Sequence, residues 1–492
     1  MIFNHIASLV EKAIEQELIE ETDRMYTRNQ ILAQLKLDTW PSDICNISND
    51  SIPHQLDKII NYAIENNIIE NVFDEKEVLK ANIMNCFIDL PSTVNSKFYQ
   101  KYKISPKEAT NYFYELSKNS NYIQMEQIKK NIHFMTSTSY GDIEITINLS
   151  KPEKDPEQIK REREMKRLQI EYPKCLLCIE NEGYEGRTGY PARANHRIIK
   201  VPLLGENWYL QYSPYIYYNE HSILLCEEHR DMKINRDTFE RLLLFVEKFP
   251  HYFIGSNADL PIVGGSILSH DHYQAGHHSF AMEKAETILT FGLEQFEGIE
   301  GAILKWPLSV IRIKGKNKNE LVEASEAILT AWQNYSDEES GIIAFTNDIP
   351  HNTITPIARM RDSEFEMDLV LRNNRTTEAF PSGVFHPHED VQHIKKENIG
   401  LIEVMGLAVL PARLKEELEE IKKYVLNKPC EVPAYHQKWA EQLKDNYVAH
   451  MDVTQLIQEE LGYKFIRILE DAGVFKQDEK GIRAFERFIR TI

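Results

Sequence analysis

Residues 259 to 278 read DLPIVGGSILSHDHYQAGHH, an apolar run and a Gly-Gly pair followed by four of the chain's 17 histidines within nine positions. His270 and His272 are two apart, so on an extended segment both rings fall on one face and Asp271 points to the other. Gln274 shares the histidine face and carries an amide able to donate hydrogen to a phosphoryl oxygen. Gly264 and Gly265 remove side-chain bulk where a phosphate would approach backbone N–H groups. Singly each has an ordinary reading: a His-x-His pair is most often polar surface or satisfied core, and Gly-Gly is usually a turn. The combination within 11 residues points further. A neutral imidazole is a good nucleophile toward phosphorus near pH 7 when an acceptor holds its other nitrogen and donors surround the phosphoryl oxygens.

The rest of the chain bounds what such a group can serve. At 492 residues, 42% hydrophobic and 10% aromatic, it has material for several cores and an expected two to four domains. The 57 basic and 76 acidic residues leave a net charge of -19, which repels polyanions and sets nucleic acid aside as main partner. No run of about 18 apolar residues occurs, and the opening MIFNHIASLVEKAIEQELIEE lacks a signal peptide's order, so no membrane partner is expected and the reading is cytoplasmic. Six cysteines in so long a chain do not make a disulfide framework.

Cys175 and Cys178 form a C-x2-C pair, and Cys226 and His229 follow in CEEH. Thiolate and imidazole in closely spaced pairs suit tetrahedral zinc. On spacing alone the ion takes all four of these groups as a closed site, or exchanges Cys226 for a histidine from elsewhere.

The segment to about residue 140 carries amphipathic helical patterns such as IASLVEKAIEQELI and no catalytic cluster. DIEITINLS, from Asp142, alternates as a half-buried strand, and KPEKDPEQIKREREMKR, from Lys151, reads as a charged linker or exposed helix. Aromatic and β-branched runs, NWYLQYSPYIYYNEHSILL, then precede an amphipathic helix with Phe239, Leu242, Leu243, Val246 and Phe249 on one face. A second mixed segment follows: strand-like IRIKG, a helix over NELVEASEAILTAWQNY, then strand-like GIIAFTN and FEMDLVLR. IGLIEVMGLAVLPARLKEELEEIKKYV reads as a helical return, and the last 60 or so residues read as helical. Strand, helix, strand occurring twice hints at a duplicated α+β unit.

DLPIVGGSILSHDHYQAG, with the upstream CLLC and EEH elements, closely resembles the second class of galactose-1-phosphate uridylyltransferases. The resemblance runs from about Tyr172 through the segment containing NRTTEAFPSGVFHPHEDVQHIKKENIGLIEVMGLAVLPARL. It implies an α+β fold of duplicated histidine-triad-like units, antiparallel sheets with helices, behind a helical N-terminal region peculiar to this class. The implied divisions are residues 1–165 helical region and linker, 166–300 first unit, 301–435 second unit and 436–492 helical C-terminal segment. It implies ping-pong exchange of a uridylyl group between UDP-glucose and galactose 1-phosphate. Matched to the first class, whose stretch is His-Pro-His-Gly-Gln, His272 is implied as nucleophile, Gln274 as phosphoryl donor, and Cys175, Cys178, His229 and His270 as ligands of a structural zinc.

Two departures accompany the match. Asp271 stands where the first class has proline, changing stiffness and charge but not spacing. The first class also has a second metal on a C-terminal His-x-His, and His386 and His388 offer one here; that metal stays open, as does a homodimer. HPH at 386–388 also imitates the nucleophile motif, but lacks the glutamine two residues on. Asn257, Gly264 and Gly265 are further candidates for substrate contact, and Arg372, Arg375, Lys395 and Lys396 for the sugar phosphate. The competing readings are a related nucleotidyl hydrolase or phosphorylase and a non-catalytic zinc scaffold.

Overall fold

The computed structural model describes residues 1–42, 47–150 and 171–492; the charged run at 151–167 lies outside them. Its centre is a ten-stranded sheet assembled from two stretches of chain. The first gives β3 (Ile199–Lys200), β4 (Trp208–Tyr212), β5 (Ser222–Cys226), β6 (Phe253–Gly255) and β7 (His272–Gly276). The second gives β8 (Thr287–Leu293), β9 (Phe296–Leu304), β10 (Val310–Gly315), β13 (Asn352–Arg361) and β14 (Glu364–Asn373), with a small hairpin, β11 (Phe345–Thr346) and β12 (Ile349–Pro350), between β10 and β13. The order is β3-β4-β5-β7-β6-β13-β14-β10-β9-β8, antiparallel throughout. The halves meet where Gly255 and Ile254 of β6 pair with Ile357 and Ala358 of β13.

Strand alternation assigns the faces. Ile254, Tyr273, Ala275, Ile311, Ala358 and Leu369 belong to one core; Phe253, Val310, Ile357 and Val370, their neighbours in sequence, belong to another. The first core is covered by helices Arg236–Lys248 and Lys318–Gln333. Asn235 caps the former through the Thr238 N–H, and Asn317 caps the latter. All five apolar positions expected on the helix face, from Phe239 to Phe249, are buried. The second core lies under a smaller sheet of β1 (Ile132–Thr138), β2 (Gly141–Ile147) and β15 (Leu407–Leu410) with helix Val453–Ala472. Ile143, Ile145 and Ile147 face inward there, as the alternation of DIEITINLS requires.

Three sequence readings change. The helical return over 399–425 is interrupted by β15, which pairs parallel with β2; LAVL is apolar on both faces because both are covered. GIIAFTN keeps only Phe345–Thr346 as strand. β1 lies inside the segment read as helical: its burial alternates, but an exposed Met135 and an inward Thr136 blur the apolar–polar pattern in the sequence. In the N-terminal region, four helices from Ile2 to Asn85 enclose their own core, whereas Phe98 and Phe113 of the next two pack in the first core of the large sheet. No helix among the described residues is long and apolar enough to cross a membrane.

Gly255 sits at the seam between the halves, paired with Gln274 on one side and Ile357 on the other. A Cβ there would lie 2.9 Å from the Pro356 carbonyl oxygen and from Leu401 Cδ1, so the strands close only around glycine. Gly255→Val is expected to cost about 1–3 kcal/mol of stability, read as a lowered urea midpoint, whereas Gly292→Ala, where nothing lies within 4 Å, should be nearly neutral.

Candidate active site

β7 lies between β5 and β6, and its register puts His272 opposite Leu225 and Gln274 opposite Ile223. Tyr273 and Ala275 enter the helix-covered core, so His272 and Gln274 face the other way. There they help to line a cavity of about 600 Å³, together with Asn257, Gly264 and Gly265. The His272 Nδ1–H donates to the His270 carbonyl at 2.8 Å, because a carbonyl only accepts; Nε2 therefore keeps its lone pair. His272 is 7% exposed, and burial pushes its pKa down to about 4, so the ring is neutral near pH 7.

Just before β7, the His270 Nε2–H donates to the Cys226 carbonyl at 2.8 Å, turning Nδ1 toward two thiols. That nitrogen is 3.2 Å from Cys175 Sγ and 3.7 Å from Cys178 Sγ, and His229 Nδ1 is 3.2 Å from Cys178 Sγ. The four donor atoms lie within 4.8 Å of one another, an arrangement able to hold a metal ion. Burial pushes the Cys178 thiol up to about 12, so a thiolate in this place requires a cation beside it. Cys226 contributes its carbonyl, while its side chain packs in the core. Among the described residues no second such group forms: His388 is engaged by Asp471 and the Val384 carbonyl, and His386 Nδ1 is buried without a partner.

Asp271 explains how the strand is held without proline. Its N–H donates to the Arg230 carbonyl at 2.8 Å and its carbonyl accepts from the Cys226 N–H at 3.0 Å, so the loop carrying His229 is pinned at both ends. Its carboxylate accepts from Arg230 Nε and NH2, both at 3.3 Å. Arg230 also makes a bidentate pair with Glu206 at 2.7 and 2.9 Å, and Arg241 joins Glu206 at 3.1 Å. Trp208, beneath both guanidiniums, stacks on Tyr273 with centroids 4.8 Å apart. The back of the strand is thus clamped while its front stays free for chemistry.

Other candidates fall out differently. Gly265 is glycine because a Cβ would lie 2.7 Å from Asn257 Nδ2, and Gly264 because one would lie 2.5 Å from the Ala258 carbonyl oxygen. Asn257 Oδ1 accepts from the Leu401 N–H at 2.9 Å, tying the cavity wall to the segment after residue 396. Arg372 is 1% exposed and donates to the Ile399 carbonyl; Lys395 pairs with Glu403 at 3.0 Å; these two, Arg375 and Lys396 do not line the cavity. His277 and His278 pair with Glu220 and Glu144.

The cavity wall also holds two residues that the sequence reading missed, Arg193 and His221. Arg193 donates to the Tyr122 hydroxyl and is the wall's arginine. His221 is 3% exposed, accepts from the Tyr217 N–H at its Nδ1 at 3.5 Å, and is driven down to about 3 by burial, so it stays neutral. No local motif marks either; His221 is betrayed only by the β5–β7 register, which sets it diagonally across from Gln274.

This constellation agrees with what the comparisons find. The family profile described as galactose-1-phosphate uridyl transferase, N-terminal domain, matches residues 17–231, and the C-terminal domain profile matches residues 245–441. The chain belongs to the galactose-1-phosphate uridyl transferase family. Family members named galactose-1-phosphate uridylyltransferase are 51% identical in Clostridium perfringens, over 99% of this chain and 98% of that protein, and 52% identical in Streptococcus mutans, over the same shares. One from Streptococcus pneumoniae is 51% identical over 99% of each chain. Among solved structures, a yeast Ap4A phosphorylase aligns with 13% identity and a TM-score of 0.34, over 67% of this chain and 92% of that one.

The clamp makes a stability prediction. Asp271→Asn and Arg230→Gln should each cost about 1–3 kcal/mol, because each strands a partner, while the double variant should lose clearly less than their sum. Urea denaturation of the four proteins checks this, and strict additivity would remove the clamp.

Proposed function

We infer that the chain exchanges a uridylyl group between UDP-glucose and galactose 1-phosphate, by double displacement through His272. The observation carrying this reading is a buried, neutral imidazole whose Nδ1–H is held by a carbonyl and whose Nε2 is free beside Gln274 in a cavity wall. Membership of the transferase family supplies the substrates. His272 Nε2 attacks the α-phosphorus; the bond to the bridging oxygen breaks, and glucose 1-phosphate leaves with that electron pair. A phosphate oxygen of galactose 1-phosphate then attacks the same phosphorus, the N–P bond breaks and its pair returns to the ring. Gln274 and the backbone around Gly264 and Gly265 stabilise the charge on the transferred oxygens, and Arg193 neutralises the phosphates from the wall.

Cys175, Cys178, His229 and His270 would hold zinc, whose contribution is to crosslink three segments and present the His270 carbonyl to His272. The domain divisions named above are retained as working units.

UDP-glucose alone should release at most one glucose 1-phosphate per site and stop, and galactose 1-phosphate should restart turnover with parallel initial-rate lines. His272→Asn should abolish exchange and His388→Asn lower it modestly at most; His272→Gly should regain uridylyl transfer with free imidazole. Sustained release of glucose 1-phosphate into water at the exchange rate would replace the transferase by a hydrolase.

Zinc is expected at about one per chain, and Cys175→Ser or Cys178→Ser should lower both occupancy and thermal stability. Cys226→Ser should matter less, since its carbonyl rather than its thiol reaches His270. Elemental analysis and calorimetry read both; equal metal loss from Cys226→Ser with none from His270→Ala would favour the closed Cys3His site.

A further inference from the structure

The HPHEDVQH segment, residues 386–393, takes no part in the catalytic cavity, yet it lines a second one of about 930 Å³ that shares no lining residue with the first. Its inner wall holds a hydrogen-bonded relay. The His436 Nε2–H donates to Glu417 Oε2 at 3.0 Å, since a carboxylate accepts, so His436 Nδ1 carries a lone pair. The His393 Nδ1–H donates to that lone pair at 2.8 Å, which leaves His393 Nε2 as an acceptor without a protein partner. Glu417 is fixed in turn by Arg413 at 2.6 Å and by the Tyr435 hydroxyl at 2.5 Å. The orientation of His393 is therefore determined from behind, as in a site and unlike a loose surface imidazole.

Three further features of this cavity await a ligand. Trp439, 3% exposed, has an indole N–H that is buried and has no acceptor, a vacancy that native interiors rarely leave. Lys438 and Lys464 both line the cavity; burial and Lys438 disfavour the Lys464 charge while Asp390 and Glu460 offset them in part, and Lys464 opposes a proton on His393, so an anion beside the lysines completes that offset. Lys464 donates to the Asp390 carbonyl at 3.4 Å, and among the described residues no carboxylate comes within 4.0 Å of either ammonium. Finally, Phe380 and Tyr435 offer exposed rings at 39% and 56%, flat apolar surfaces beside polar groups. Glu389 and Asp390 also line the cavity, which disfavours a polyanion but suits hydroxyl groups.

We propose that this cavity is a second binding site, separate from the catalytic one, for a sugar phosphate. The phosphate sits between Lys438 and Lys464, the apolar face of the sugar lies on the aromatic rings, and its oxygens meet the Trp439 N–H and His393 Nε2.

Equilibrium dialysis of the full chain with radiolabelled glucose 1-phosphate tests this. Two sites per chain are expected for the unaltered protein and one for Lys464→Met or Trp439→Phe. The stoichiometric release of glucose 1-phosphate from UDP-glucose should persist in both variants, which separates this proposal from the catalytic reading. His393→Gln, which keeps a polar group, should weaken the second site less than His393→Phe. Unlabelled inorganic phosphate should compete at least 10-fold more weakly than glucose 1-phosphate. A single site insensitive to Lys464→Met would overturn the proposal; so would joint loss of both sites, or equal competition by inorganic phosphate, which would leave a bare anion site.

Discussion

Pairing of β7 on both edges is the constraint from which the site follows. Because β5 and β6 occupy its two neighbours, the backbone of 272–276 has no freedom to rotate, and alternation decides where each side chain goes. His272 and Gln274 reach the cavity and Tyr273 reaches the core; a slip of one residue would bury the imidazole under a helix and expose a tyrosine. The same strand pairing delivers the metal group, since β5 leads into Cys226 and His229 while β7 is entered through His270. The proposed nucleophile and the two imidazoles of the metal-compatible group thus follow from one register, while Cys175 and Cys178 join them from a separate segment.

The residues on the back of the strand show how that register is secured against a charged substitution. Where the first class carries proline, Asp271 brings a carboxylate into a buried setting; burial pushes its pKa up to about 6 even though Arg230 and Arg241 oppose the rise. The carboxylate is tolerated because Arg230 and Arg241 offset part of the cost that burial and the like charge of Glu206 impose, and because its own backbone groups hold Cys226 and Arg230 on either side of His229. Proline stiffens a chain by limiting its torsions; here an ion-pair network and two backbone hydrogen bonds give comparable definition through contacts. A similar arrangement recurs in the second half, where Arg312 and Arg359 bracket Asp368 at 2.6 and 2.8 Å across paired strands.

How much of this was legible depended on how local each signal was. C-x2-C, His-x-His and the helix over Phe239–Phe249 are patterns within a few residues, and the structure brings the four expected metal donors together and places His272 and Gln274 on one face. Arg193 and His221 were not visible because their proximity to Gln274 arises from pairing between segments far apart in sequence. The basic residues chosen for the sugar phosphate were selected on charge alone, yet Arg372 and Lys395 are internal cations whose partners are a carbonyl and Glu403. β15 was missed because LAVL, apolar on both faces, has no period to distinguish strand from helix.

The seam between the halves gives the two-part sheet its functional sense. Gly255 touches β7 on one side and β13 on the other, and the atoms that would obstruct a side chain there belong to Pro356 and Leu401. Leu401 begins the short helix whose first N–H is taken by Asn257, and residues of that helix and of the segment from Glu397 line the same cavity as His272. Part of the cavity wall is therefore supplied by chain that follows the second half of the sheet, while His272, the proposed nucleophile, belongs to the first. The halves also share the core beneath β7, since Tyr273 and Ala275 pack in one cluster with Ile311, Ala358 and Leu369. On the proposed double displacement, exclusion of water is what permits a labile N–P bond to await its acceptor, and a cavity walled by both halves of the sheet fits that requirement.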